Sequence, residues 1–404
     1  MKKTLLTAAG LAVASLASAQ NKGLTAFTKP QKGIEVVAKD SLFSLRFQFR
    51  MQNRAAMMTR SDEDLSAESY EFRVRRLRLK MEGFVYSPKL TYKVQLSFSR
   101  GDMDWDGSQP STINTSVNVV RDAVLYYEPA EHWKFGFGQT KLPGNRQRVV
   151  SSGDQQFADR SIVNATFTVD RDFGFFAQYS NNYMNIHGAV TSGEGRNSTG
   201  SNSGLCYTGR VELLPFGKFT GKNDYVEGDL EREPKPKVSI GATYSMNDDG
   251  VRVGGQLGKD LYGKRDMAVL SIDGLLKYKG FSFYNEFMSR DASNPITFNA
   301  DTSALSTIYT GYGFLTQAGY LFQSNWEVAA RYAEITPFSA VFDNAAFASV
   351  NEKKQQHIQL GVTKYLYGHR LKVQANLLYH ITTNMRTSES SGKYGAIFQV
   401  ELGI

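Results

Sequence analysis

The sequence predicts an all-β fold: a transmembrane antiparallel β-barrel of about sixteen strands, with one loop folded inward as a constriction. Three observations lead there. Segments of roughly ten residues alternate apolar and polar from Phe43 to the C-terminus. The connections between them alternate short and long. Beyond the N-terminal segment, no stretch approaches the ~18 apolar residues of a membrane-crossing helix. Composition agrees, with 26 Phe, 21 Tyr and 36 Gly against only 10 Pro, a mixture suited to many strands that are apolar on one face.

The N-terminus reads as a signal peptide over residues 1–19. Lys2 and Lys3 precede an apolar run at 5–16, and Ala17-Ser18-Ala19 forms an A-x-A cleavage site before Gln20. Its removal takes two lysines and no acid, lowering the formal charge from +8 to +6. Residues 20–40 form a polar lead with a short periplasmic strand expected around Ile34 to Val37. Residues 41–404 form one barrel domain. The single Cys206 excludes an internal disulfide framework.

The first barrel strand places Phe43, Leu45, Phe47, Phe49 and Met51 on one face, with Ser44, Arg46, Gln48, Arg50 and Gln52 on the other. A polar loop is expected over 53–70. The stretch FRVRRLRLKMEG at 72–83 backs an apolar stripe onto a column of cations, and the adjacent Arg75 and Arg76 predict a bulge. After a tight turn at Ser87-Pro88, the next strand opposes Leu90, Tyr92, Val94, Leu96 and Phe98 to Thr91, Lys93, Gln95, Ser97 and Ser99. Further strands are expected near 118–127, 133–140, 172–180, 183–191, 205–214, 237–247, 268–279, 281–290, 310–323, 326–334, 355–366, 370–381 and 394–404. Short turns on one side and long loops on the other are the habit of outer-membrane barrels. One connection departs from it: 215–236 falls on the short-turn side yet is long and charged. The last strand is expected to pair with the first and close the sheet, removing both edges.

If apolar faces meet lipid, the cations line a pore. The inward set over the first three strands is Arg46, Arg50, Arg73, Arg75, Arg76, Arg78, Lys80 and Lys93, opposed chiefly by Glu82 and Glu71. At an effective dielectric of ~20, unit charges ~7 Å apart interact by roughly 2–3 kcal/mol. Several such sites in series attract an anion without trapping it, and the planar arginine fork suits oxyanions. The same arginines could instead balance acids across the lumen and stiffen the wall. The connection within 139–170 is the longest on the long-loop side. It carries Lys141, Arg146, Arg148 and Arg160 and is the expected constriction, with a surface loop as the alternative.

This segment resembles the phosphate-selective porin O and P family. Lys141-Leu142-Pro143, Phe157-Ala158-Asp159-Arg160 and Arg171-Asp172-Phe173-Gly174 fill the places of the family's K-x-P turn, aromatic and acid-Arg pair, and R-D-x-G strand. The 72–83 stretch resembles its first arginine-rich strand, and Val120-Arg121-Asp122-Ala123 its fourth. The resemblance implies a sixteen-stranded anion channel, commonly trimeric, with an arginine ladder and a constricting loop. Where the family usually has Glu before Arg160, this chain has Asp159.

Other signals are weaker. Asp102, Asp104, Asp106 and Gly107 match the start of a calcium loop, but Ile113 stands where a bidentate Glu is needed. The Gly/Ser run 193–204 reads as a flexible external loop. The five histidines show no metal-binding spacing, and nothing selects a nucleophile with its base. The expectation is therefore an outer-membrane porin of a Gram-negative envelope. It would pass small inorganic or organic anions, phosphate or polyphosphate among them, as a homotrimer in outer-membrane lipid. It would have no enzymatic activity, cofactor, metal or nucleic-acid partner. A general nonselective porin and a surface adhesin are the alternatives.

Overall fold

A computed structural model describes residues 24–29, 33–38, 42–99, 119–198 and 204–404. The signal peptide and the acidic loop at 102–107 lie outside the described residues. A hairpin of β1 (Leu24–Lys29) and β2 (Gly33–Ala38) comes first. The next strands are β3 (Ser44–Thr59), β4 (Ala67–Val85), β5 (Ser87–Ser97), β6 (Val120–Tyr127), β7 (Trp133–Lys141), β8 (Arg171–Ser180), β9 (Met184–Thr191) and β10 (Cys206–Leu213). They continue as β11 (Lys237–Arg252), β12 (Asp260–Tyr278), β13 (Phe281–Ala292), the small pair β14 (Ile296–Asn299) and β15 (Ala304–Thr307), β16 (Gly311–Leu321) and β17 (Trp326–Pro337). Last are β18 (Lys354–Tyr367), β19 (Leu371–Thr383) and β20 (Ser390–Gly403).

From β3 to β20, omitting the β14–β15 hairpin, each strand pairs antiparallel with its sequence neighbour. β20 then returns to β3, with Gly403 opposite Arg50 and Gly395 opposite Met58. Sixteen strands thus close without an edge. β2 pairs with the part of β3 that β20 does not reach, Ser44 to Phe47. The short strand expected near Ile34 is therefore present, and its partner β1 is an addition.

Two expectations about connections are corrected. Much of 53–70 is strand, because β3 runs on to Thr59 and β4 begins at Ala67. Asn53, Arg54 and two alanines blur the alternation there, but pairing on both sides, to β20 and β4, holds the backbone extended. Likewise, β11 and β12 extend into the expected loop 248–267. At the short-turn end, Lys279 (φ 49°) and Gly280 (φ 90°) both take positive φ. That is the two-residue turn whose twist matches its flanking strands.

The outer surface carries what a water-soluble protein buries. Phe175 is 64% exposed, Leu377 61% and Leu360 57%, a continuous apolar exterior that only lipid satisfies. Trp133, Tyr320, Phe322 and Trp326 ring the short-turn end, and Tyr207, Tyr262, Tyr312 and Tyr394 lie toward the other. Such aromatic girdles sit at the two bilayer interfaces. The interior is the reverse, with buried Gln52, Arg76, Glu212, Asp273, Lys277, Glu327 and Lys372.

Candidate functional site

Inside the barrel, β3, β4 and β5 make a grid of cations. Arg46, Gln48, Arg50, Gln52 and Arg54 of β3 lie opposite Glu82, Lys80, Arg78, Arg76 and Arg73 of β4. Gln95 and Lys93 of β5 continue the rows of Lys80 and Glu82. The expected bulge is present: Gln52 faces Arg76 and Asn53 faces Val74, leaving Arg75 as the extra residue. Both consecutive arginines therefore turn inward, and each lies near Asp159, at 3.4 Å from Arg75 and 3.9 Å from Arg76. Like charges directly opposite on neighbouring strands repel, so Arg50–Arg78 and Arg54–Arg73 need compensation.

The connection between β7 and β8 supplies much of it. Its base is closed by Leu142 N–H donating to Asp170 O at 2.9 Å, and the segment then folds into the lumen. It contains two short helices, Arg146–Val149 and Ile162–Phe167. The second is capped by Ser161 Oγ, which accepts from Asn164 N at 3.1 Å. Between the helices the chain crosses the pore. Arg50 donates to Ser151 and Ser152, and Arg78 to Ser152. Arg54 pairs with Asp159 at 2.6 Å. Gly153 passes so close to the wall that a Cβ would stand 2.1 Å from Arg50 Nη1 and 2.5 Å from Glu401 Oε1, so a side chain there would have to displace those groups. On the far side, Lys372 and Gln374 donate to the Gln155 and Gln156 carbonyls, and the Arg331 guanidinium lies 4.2 Å above the Phe157 ring. The inward-folded loop is thus bound to both walls.

The long connection 215–236 also enters the lumen, from the short-turn end, where the sequence alone offered only an unexplained insertion. Glu227 accepts from Gln156 N at 2.9 Å, and its own N–H donates to Asp154 O at 2.8 Å. Lys277 donates to the carbonyls of Asn223 and Val226, and the Arg146 guanidinium donates to Asp224 O at 3.0 Å. The two inward segments therefore meet near the middle. Both contact the half of the barrel lined by β10–β13 and β16–β20, where Glu212, Asp273, Glu286, Glu327 and Glu401 are buried.

Arg146, one of the four constriction-loop candidates, is 2% exposed and lies in that acidic half. It donates to Asp273 at 2.6 Å and to Glu212 at 2.9 Å. Burial alone would lower its pKa, but Asp273 and Glu212 outweigh it and the guanidinium is held charged. Lys141, Arg148 and Arg160 lie on the other side of the loop. Lys141 donates to Val149 O at 2.6 Å, and Arg148 pairs with Asp170 at 2.5 Å. Arg160 donates to Gln147 O and Val150 O; burial, with Arg148 beside it, pushes it down to about 9, still protonated at neutral pH. The wall cations divide in the same way. Arg50, Arg76 and Arg78 are sequestered against the loop, whereas Arg73 (47%), Arg46 (33%), Lys80 (27%), Lys93 (25%) and Arg75 (20%) keep side-chain area open. Each open cation has an acid nearby, such as Glu82 at 2.6 Å from Lys80 and Asp122 at 3.4 Å from Lys93. Arg54 was not anticipated, because it falls in the stretch read as loop.

Asp159 holds the loop to the cation grid. Burial would raise its pKa, but Arg54, then Arg75 and Arg76, hold it far below the usual carboxylate range. A carboxyl depressed in the fold contributes stability that is present above its unfolded pKa of about 3.9 and is lost only as pH falls through the lower folded value. The Asp159–Arg54 contact should therefore persist from pH 7 to pH 4, and Asp159→Asn should give a noisier, wider channel at both. A wild-type channel that at pH 4 becomes as noisy and wide as Asp159→Asn would show that the contact is lost above pH 4.

The expected flexible external loop at 193–204 is corrected for its first half. Asp172 accepts from Ser192 Oγ and from the backbone N–H groups of Gly193 and Gly195, which ties 192–195 to the wall. The fold also places His357 opposite His380, with ring centroids 4.5 Å apart, a pairing invisible in chain spacing. Among the described residues, no group of three or more His, Cys, Asp or Glu is placed to hold a metal.

A closed, lipid-facing barrel of sixteen strands with a polar lumen and an inward loop defines an outer-membrane porin channel. The chain belongs to the phosphate-selective porin O and P family, whose profile matches residues 45–400. An uncharacterized protein of Aquifex aeolicus (strain VF5) is 23% identical over 428 residues, spanning 94% of each chain. Among solved structures, the anion-selective porin from Comamonas acidovorans aligns at a TM-score of 0.54 with 12% identity, over 90% of this chain and 100% of that one. The outer membrane channel DcaP of Acinetobacter baumannii aligns at 0.54 with 10% identity, over 89% and 97%. The trimer form of OmpT, an outer membrane protein of Vibrio cholerae, aligns at 0.51 with 11% identity, over 89% and 99%. At these identities the likeness is one of fold.

Proposed function

We propose that this porin passes small anions by diffusion, inorganic phosphate and polyphosphate among them, along the side of the lumen lined by β3–β9. The observation that carries the reading is the unequal exposure of the lumen's charges. The acids Glu212, Asp273, Glu286, Glu327 and Glu401 are buried, whereas Arg46, Arg73, Arg75, Lys80 and Lys93 of the wall keep side-chain area open. Arg50, Arg76 and Arg78 add to the field from behind the loop. Their acidic partners reduce the net charge without cancelling it, and open cations interspersed with carboxylates favour passage over capture.

Reversal potentials in planar bilayers under a KCl gradient test this. The wild type should prefer chloride, and Lys80→Ala with Lys93→Ala should cut the anion-to-cation permeability ratio by roughly three- to tenfold, a value discounted for solvent screening. Cation preference in the wild type would reject the proposal and leave a general porin. We further propose that the channel is a homotrimer, a reading supported by the family and by the trimeric form of a similarly folded porin. A monomer mass in detergent would remove that part.

A further inference from the structure

We infer that the channel carries a second selectivity station below the constriction: a subsite for organic monoanions with an apolar body, of the size of an aromatic carboxylate. It rests on the anion-channel reading and names a solute class for it. The β7–β10 wall and the two inward segments enclose a cavity of about 180 Å³. Leu142, Pro143 and Val149 of the constriction loop contribute apolar surface, and Phe176 of β8 faces them. Tyr225 of the 215–236 connection adds its ring, with its hydroxyl donating to Glu212 at 2.5 Å. An apolar cavity of ~150 Å³ accepts a benzene-sized guest, so this one has room for a ring together with its carboxylate.

The polar groups are placed for one negative charge. Gln178 and His187 lie opposite each other on β8 and β9 and both line the cavity. Neither side chain has a hydrogen-bond partner among the described residues. Lys141 also lines the cavity, its amine donating to Val149 O at 2.6 Å. Arg210 also lines the cavity, but it is committed to Glu212 and Asp273, each at 2.7 Å. The net offer is the Lys141 amine, two polar side chains without partners among the described residues, and an apolar wall. A strongly hydrated inorganic oxyanion gains nothing from the apolar part, while an aryl carboxylate uses all of it.

The test is block of single-channel chloride current by benzoate, acetate and phosphate, in the wild type and in His187→Ala and Gln178→Ala. Benzoate should block at a concentration about tenfold below acetate. Each substitution should remove most of that advantage while leaving the reversal potential and phosphate block unchanged. Benzoate no stronger than acetate, or an advantage that survives both substitutions, would overturn the subsite and leave the anion channel standing. A cation-selective reversal potential would instead overturn the reading beneath it. Both variants alter lumen-facing side chains, and the intact barrel is verified by its heat-modifiable migration in detergent gels.

Discussion

Replacing residues 217–234 by a two-residue turn should raise single-channel conductance on the order of twofold and lower anion preference at the same time. Both effects have one cause. The segment occupies the lumen beside β11–β13 and β16–β19, and Glu227 holds the constriction loop through the Gln156 N–H and the Asp154 carbonyl. Without it, the loop loses its support from below. The carboxylates of Glu212 and Asp273, now covered, would border water and attract cations. Lys277 would lose its Asn223 and Val226 partners, but it would then be solvated rather than stranded. The measurement is conductance and reversal potential in planar bilayers. Unchanged conductance would mean that this connection lies outside the ion path.

Arg146→Met should be the most destabilising single substitution in the loop. Removing one partner of a buried ion cluster typically costs ~3–5 kcal/mol, because the remaining charge is left uncompensated. Arg146 serves two carboxylates and, through Asp224 O, the second inward segment as well. Arg210 still reaches both Glu212 and Asp273 at 2.7 Å, so the lower end of that range is expected. Arg160→Met offers a contrast. Its partners are the Gln147 and Val150 carbonyls, and its loss should cost under about 2 kcal/mol. Thermal unfolding in detergent ranks the two. Equal losses would show that the Glu212–Asp273 cluster does not anchor the loop.

Arg54 and Arg146 mark where sequence reading ran short, for different reasons. Arg54 follows Asn53 and precedes two alanines, so no local alternation signals a strand. Its place is decided by β20, more than three hundred residues away along the chain, pairing alongside it. Arg146 sits in a loop whose charges read as one cationic group. Arg148 and Arg160 find partners within the loop, but Arg146 turns to acids contributed by β10 and β12, and no spacing within the loop encodes them. The bulge at Arg75, by contrast, was legible, because two consecutive cations on an otherwise strict alternation can share a face only if the strand takes an extra residue.

The sequence alone determined the barrel, its lipid-facing stripe, its cation-rich first wall and the loop long enough to enter it. Each of these follows from a period of two along a strand and from the cost of unpaired backbone in hydrocarbon, and both are local or nearly so. Only the tertiary structure decided which cations stay open to a solute and which are consumed in holding the loop, and that the 215–236 connection turns inward to cover the acidic half. Those outcomes depend on charges that meet across the lumen from strands distant in the chain. A buried charge must find its partner wherever the fold brings one.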